Sequence, residues 1–139
     1  MALIASGTLA ACGGGGSGGT PTLTWYINPD SGGQAKIAAS CSDASRGAYV
    51  IETAVLPRNA DAQREQLVRR LAAGDDSIDI MSLDVVFAPE LAQAGFLAPV
   101  SDDVASEVTE GVVPGALESA TWNDKLVAVP FWANTQLLW

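Results

Sequence analysis

Short β-rich runs alternate with helix-periodic stretches from residue 23 to residue 94, and this alternation restricts the fold more than any other feature of the chain. Leu23-Thr24-Trp25-Tyr26-Ile27 has strand composition and stops at Asn28-Pro29-Asp30-Ser31-Gly32-Gly33, a cluster of turn formers. Residues 34–45 then carry Ile37, Ala38, Cys41 and Ala44 at helical spacing. Residues 49–56 form a second strand candidate, closed by Pro57. In the next helix Asn59 or Asp61 is the N-cap, Leu67, Val68, Leu71 and Ala72 make one apolar stripe, and Gly74 is the stop. On its outer face Glu65 precedes Arg69 by four residues, the favourable order for a surface pair. Residues 78–83 read as a third strand and residues 89–94 as a short helix stopped by Gly95. Strands separated by helices need crossover connections, so the order βαβαβα predicts an α/β fold with a parallel sheet covered by helices. Further on, residues 97–103 turn into a less regular acidic stretch, and residues 122–130 read as a small hairpin.

At 139 residues the chain has the length of one domain. Sixteen acidic residues against seven basic ones give a net charge of −9, with no cationic cluster beyond Arg69-Arg70. Nucleic acid is excluded as a partner, because phosphate binding needs a basic stripe. The chain has no histidine, which removes Ser-His and Cys-His nucleophilic mechanisms and imidazole-ligated metal sites. Two cysteines are too few for a zinc ribbon or a disulfide scaffold. No metal or cofactor is implied. With 48% hydrophobic and 17% charged residues the chain is globular, and no apolar run approaches the ~20 residues of a membrane span.

Residues 1–11 are apolar and end in small residues, and the junction Leu9-Ala10-Ala11-Cys12 resembles the bacterial lipoprotein cleavage site. On that reading residues 1–11 are a truncated signal peptide whose true start lies upstream, since no Lys or Arg precedes Cys12. Cys12 becomes the lipidated N-terminus, and its acyl chains exceed the two signals that stable anchoring needs. The alternative is a buried apolar strand with a structural cysteine. Residues 12–22 are a glycine-rich tether. Gly13, Gly15 and Gly18 fit a G-x-G-x-x-G pattern, but no strand precedes them and no helix follows. Residues 15–19 fit G-x-S-x-G in a chain without the histidine that motif requires. Residues 134–139 form an apolar strand-like run with no polar tail, which predicts a piece of a longer protein.

Ligands of open parallel sheets bind beyond the carboxyl ends of the strands. Asp30, with Asn28 beside it, follows the first strand, and Asp84 follows the third. Trp25, Tyr26, Phe131 and Trp132 lie near the same elements, and Asn134 and Gln136 follow the hairpin. Carboxylates and carboxamides hold sugar hydroxyls, and aromatic faces pack on the C–H face of a pyranose. With no Lys or Arg converging on them, these residues suit an uncharged polyhydroxylated ligand. Each also has a structural reading. Asp30 fits an Asx-turn or helix N-cap, Asp84 fits a cap, and one of Trp25 and Tyr26 belongs to the core. Asn134, a bare amide in an apolar run, demands partners. Asp102, Asp103, Glu107 and Glu110 read as solvated surface.

The Leu-Ala-Ala-Cys junction, Leu23-Thr24-Trp25-Tyr26, Gln66-Leu67-Val68-Arg69-Arg70-Leu71, Asp79-Ile80-Met81-Ser82-Leu83-Asp84-Val85-Val86 and Asn134-Thr135-Gln136-Leu137-Leu138-Trp139 together resemble the family 1 extracellular solute-binding proteins. These are the sugar-capturing lipoproteins of bacterial ABC importers. The likeness is greatest to the trehalose-binding members from actinobacteria, notably mycobacteria. The resemblance implies a type II periplasmic-binding-protein-like fold of two lobes, of which residues 23–139 form an incomplete N-terminal lobe. It implies a non-enzymatic receptor that captures a carbohydrate, such as the disaccharide trehalose, for ABC permease subunits. Such a receptor sits outside the cytoplasm, held to the outer face of the cell membrane through Cys12. Carried over by position, Asp30, Asp84 and Asn134 contact the sugar, with Asn28 and Trp132 as neighbours. Cys41, unpaired once Cys12 is lipidated, implies a disulfide mate in the absent part. Two other readings compete: a carbohydrate hydrolase using Asp30 and Asp84 as acid and base, and a truncated remnant without function.

Overall fold

The computed structural model describes residues 19–132. Strand β1 (Thr22–Ile27) leads through helix α1 (Gly33–Ala44) to β2 (Val50–Val55), and helix α2 (Ala60–Ala72) leads to β3 (Ile80–Met81). A 3-10 turn (Val85–Phe87) runs into α3 (Ala88–Gln93), followed by α4 (Asp102–Val108), α5 (Pro114–Ser119) and a hairpin of β4 (Thr121–Trp122) and β5 (Lys125–Leu126). The three long-range strands form a parallel sheet in the order β2-β1-β3, as the alternation predicts.

Successive strand residues point to opposite faces, so Tyr26 and Ile27 serve both sides of β1 and are 6% and 3% exposed. Tyr26 meets Leu56 and the fully buried Leu67 of α2, with Ala54, Leu71, Ile78, Met81 and Leu83 packed around them. Burying a leucine completely stabilises by about 2–3 kcal/mol. A tyrosine in this core needs a partner for its hydroxyl. Arg70 supplies it, donating to Tyr26 Oη with its guanidinium carbon 4.9 Å from the ring centroid. Trp25, on the other face, is only half-buried.

Local signals set the helix ends. Asn59 caps α2 by accepting from the Ala62 N–H at 3.1 Å, which decides between the two predicted caps. Gly74, at φ 74°, takes the left-handed turn that follows the helix. The Glu65–Arg69 pair forms at 2.6 Å on the exposed face. In the hairpin, Asn123 and Asp124 both adopt positive φ, 48° and 61°, as a two-residue turn between antiparallel strands requires.

Three expectations are corrected. Helix α1 does not bury Ile37 and Ala44: Ile37 is 41% exposed, and the inward face is Gln34 and Ala38. A buried glutamine holds this face because both ends of its amide are hydrogen-bonded. β3 is two residues long rather than six. Ladder bonds nonetheless reach from Asp79 N–H to Thr24 O and from Ser82 N–H to Tyr26 O, after which the chain turns off the sheet. The stretch after Val100, read as irregular, contains α4 and α5. Asp102, Asp103, Glu107 and Glu110 are exposed there, as expected.

Candidate functional site

The loops after β1, β2 and β3 open onto one trough of about 1380 Å³. That is wider than the ~300–1,000 Å³ of a typical small-molecule cleft, so the described residues form a broad wall rather than a closed pocket. Among the predicted site residues Asn28, Asp84 and Trp132 line it, together with Trp25 and Phe131.

Asn28 comes directly after β1. Its backbone carbonyl accepts from Gln34 Nε2 at 3.1 Å. Its side-chain Oδ1 is buried without a hydrogen-bond partner among the described residues, which leaves an acceptor to be satisfied. Asp84 begins the 3-10 turn. It accepts from the Val86 N–H at a long 3.5 Å and is otherwise exposed, leaving most of its acceptor capacity to whatever enters the trough.

The aromatic wall comes from two distant parts of the chain. Trp25 meets Phe131 edge-on, with centroids 6.4 Å apart and planes at 87°. Phe131 in turn leans on Trp132 at 4.7 Å and 54°. Phe131 and Trp132 are 53% and 55% exposed, so their faces are free to pack on an apolar surface.

Asp30 is placed differently. Its Oδ1 accepts from Gly32 N–H and its Oδ2 from Gln34 N–H, both at 2.8 Å. The side chain is thus an Asx-turn and a cap on α1, turned onto the helix start instead of into the trough. Gly32 makes this possible by taking φ 88°. The Gln34 and Gly32 N–H groups hold the Asp30 carboxyl below the usual carboxylate range. Asn134 and Cys12 lie outside the described residues. Cys41 is half-buried and makes no disulfide among the described residues.

Two contributors were not foreseen. Arg58, in the loop after β2, lines the trough, so the expectation that no cation converges there is corrected. The carboxyl-end rule that picked out the loops after β1 and β3 covers the loop after β2 equally. Asp79 and Asp84 also line the trough, and the two carboxylates outnumber Arg58, so the wall does not favour an anion. The second contributor is Gln34, 1% exposed, whose side chain lies behind the loops after β1 and β3. Its signal was a polar residue one turn before Ala38 on a helix face that must be covered.

No family model matches the sequence. Among solved structures the chain is similar to maltose-bound MalE3 of T. maritima, at 20% identity and TM-score 0.65, over 76% of this chain and 27% of that one. It is similar to an extracellular solute-binding protein family 1 from Alicyclobacillus acidocaldarius, at 20% identity and TM-score 0.62, over 80% and 28%. A cyclo/maltodextrin-binding protein complexed with maltotetraose matches at 25% identity and TM-score 0.59, over 80% and 28%. The chain spans less than a third of the length of these structures. Its fold is part of a lobe of the periplasmic-binding-protein-like fold.

Proposed function

We propose that this chain is the N-terminal part of a carbohydrate receptor of the family 1 extracellular solute-binding type, delivering its ligand to the permease of an ABC importer. Residues 23–139 contribute to the first lobe, residues 12–22 are the tether, and Cys12 carries a lipid that holds the receptor at the outer face of the cell membrane. The proposed ligand is a disaccharide such as trehalose. The observation that carries this reading is the trough itself. On one wall it gathers Asn28, the open carboxylate of Asp84 and the exposed faces of Phe131 and Trp132. Hydroxyls and pyranose C–H faces are the complement of that set. The solved structures with this fold that are bound to maltose or maltotetraose support it. Asn28, Asp84 and Trp132 are the proposed contacts, and Asp30 and Asn134 are proposed on the resemblance alone.

Hydrolysis is the weaker reading. A glycosidase acid must be protonated at neutral pH, whereas the Asp30 carboxyl is held low by backbone N–H groups and faces the helix.

Saturation-transfer NMR of the chain with trehalose, maltose and, as control, free glutamate tests the proposal. Transfer to the sugars alone is expected, with Kd of about 1 mM or weaker because one wall acts alone. Asp84→Ala and Trp132→Ala each weaken it by roughly tenfold. A folded chain that takes up neither sugar defeats the proposal. Mass spectrometry of the chain expressed in a bacterial host behind a Lys/Arg-containing signal start tests the anchor, through a diacylglyceryl adduct on Cys12.

A further inference from the structure

We infer that Gln34 and Ser82 are positioning residues of this site, forming a buried polar bridge that ties the loop after β1 to the loop after β3 and holds the Trp25 indole as a fixed wall of the trough. The inference rests on the proposed function for its consequence in binding. Its geometry stands apart from that reading.

The bridge is a single directed chain of hydrogen bonds. Trp25 Nε1–H donates to Ser82 Oγ at 3.2 Å, and Ser82 Oγ–H donates to Gln34 Oε1 at 2.6 Å. Gln34 Nε2 donates to Asn28 O at 3.1 Å and to Asp30 Oδ2 at 3.4 Å. Both ends fix its direction. An indole N–H only donates and a backbone carbonyl only accepts, so the Ser82 proton must point to Gln34 and the Gln34 amide has one allowed orientation. Flipping that amide would set its oxygen against the Asn28 carbonyl. The Ser82 hydroxyl spends its one proton on Gln34 and accepts from Trp25, and its N–H is engaged with Tyr26 O at 2.8 Å, so the residue is pinned to the sheet. Gln34 is 1% exposed, where a bond left unmade costs the full desolvation of the group. The contacts join the three side chains in one connected network linking Asn28, Trp25 and the strand that leads to Asp84.

The test begins on the sugar-free chain. In ¹⁵N spectra the Trp25 indole proton, assigned with Trp25→Phe, exchanges with solvent slowly. Ser82→Ala speeds this at least about tenfold relative to the Tyr26 backbone amide, and Ser82→Thr, which keeps the hydroxyl, does not. In titrations with trehalose and maltose, Ser82→Ala and Gln34→Leu each weaken binding by roughly tenfold. Asn59→Ala, which removes the cap of α2 away from the bridge, lowers stability and leaves affinity unchanged. Slow indole exchange in Ser82→Ala overturns the inference. So does wild-type affinity in both Ser82→Ala and Gln34→Leu. If the unaltered chain binds neither sugar, it is the proposed function that fails, and the exchange comparison still decides whether the bridge holds Trp25.

Discussion

Residues 22–81 and residues 85–132 both contain helices, but the two sets are stabilised differently. In the first, α1 and α2 are 12 and 13 residues long, and each buries side chains, Gln34 and Ala38 in one and Gln63 and Leu67 in the other. In the second, α3, α4 and α5 are six, seven and six residues long, and neither α4 nor α5 buries any residue. Helices that short are unstable alone. Among the described residues, backbone bonds such as Val100 N–H to Leu126 O at 2.8 Å and Val127 N–H to Ala120 O at 2.9 Å join the hairpin to its flanks. The first region is organised by helices packed on the parallel sheet, and the second, beyond α3 with its buried Ala88 and Leu91, by backbone hydrogen bonds to the hairpin, while the trough is lined by residues of both. Its aromatic wall draws one member, Trp25, from the first region and two, Phe131 and Trp132, from the second.

This contrast is open to direct attack. The largest effect is expected from Leu67→Ala, which empties a fully buried position and should cost about 3 kcal/mol in urea unfolding. Val104→Ala in α4, where the side chain is 41% exposed, should cost under about 0.5 kcal/mol. Comparable losses at the two positions would erase the distinction. A smaller separation is expected between the caps. Asn59→Ala removes a real side-chain bond and should cost about 1 kcal/mol, whereas Ser101→Ala at the start of α4 removes no side-chain cap bond and should change little.

Acid sharpens the comparison. Asp75, in the turn between α2 and β3, is held down to about 2 by the Ser77 hydroxyl and by Arg70, which pairs with it at 2.5 Å. A folded-state value below the ordinary 3.8 stabilises above pH 3.8, and that stabilisation is lost as pH falls toward 2. Asp75→Asn should flatten the acid limb of stability followed by circular dichroism between those limits, and an unchanged limb would remove Asp75 from the account. The smallest effect belongs to Arg69→Ala. The Glu65–Arg69 pair is 59% and 77% exposed, so its loss should cost no more than about 0.5 kcal/mol and vanish in high salt.

The first region was largely legible in the sequence because its signals are local. Turn formers follow β1, Asn59 and Gly74 bracket α2, and the parallel order follows from strands that alternate with helices. Helices α4 and α5 were missed because neither carries an apolar stripe to bury. The signals that remained were Ser101 ahead of Asp102-Asp103 and Pro114 at a helix start. Of the site, the positions of Asn28 and Asp84 at strand ends were readable. The use of Asp30 was not, since a carboxylate before Gly32-Gly33 serves a helix start or a ligand equally well until its hydrogen bonds are seen. The bridge through Gln34 and Ser82 joins residues 48 positions apart and leaves no mark on periodicity.

The order of strands also has a consequence for timing. β1 is made first yet sits in the middle, flanked by a partner that begins at Val50 and another that begins at Ile80. As the chain emerges from its N-terminal end, the Trp25-Tyr26-Ile27 stretch waits about thirty residues for β2 to cover one edge and some fifty for β3 to cover the other. A long wait with such a segment uncovered favours sticking to other chains. The glycine-rich run and the breaker cluster on either side of that strand keep the exposed window short while it lasts.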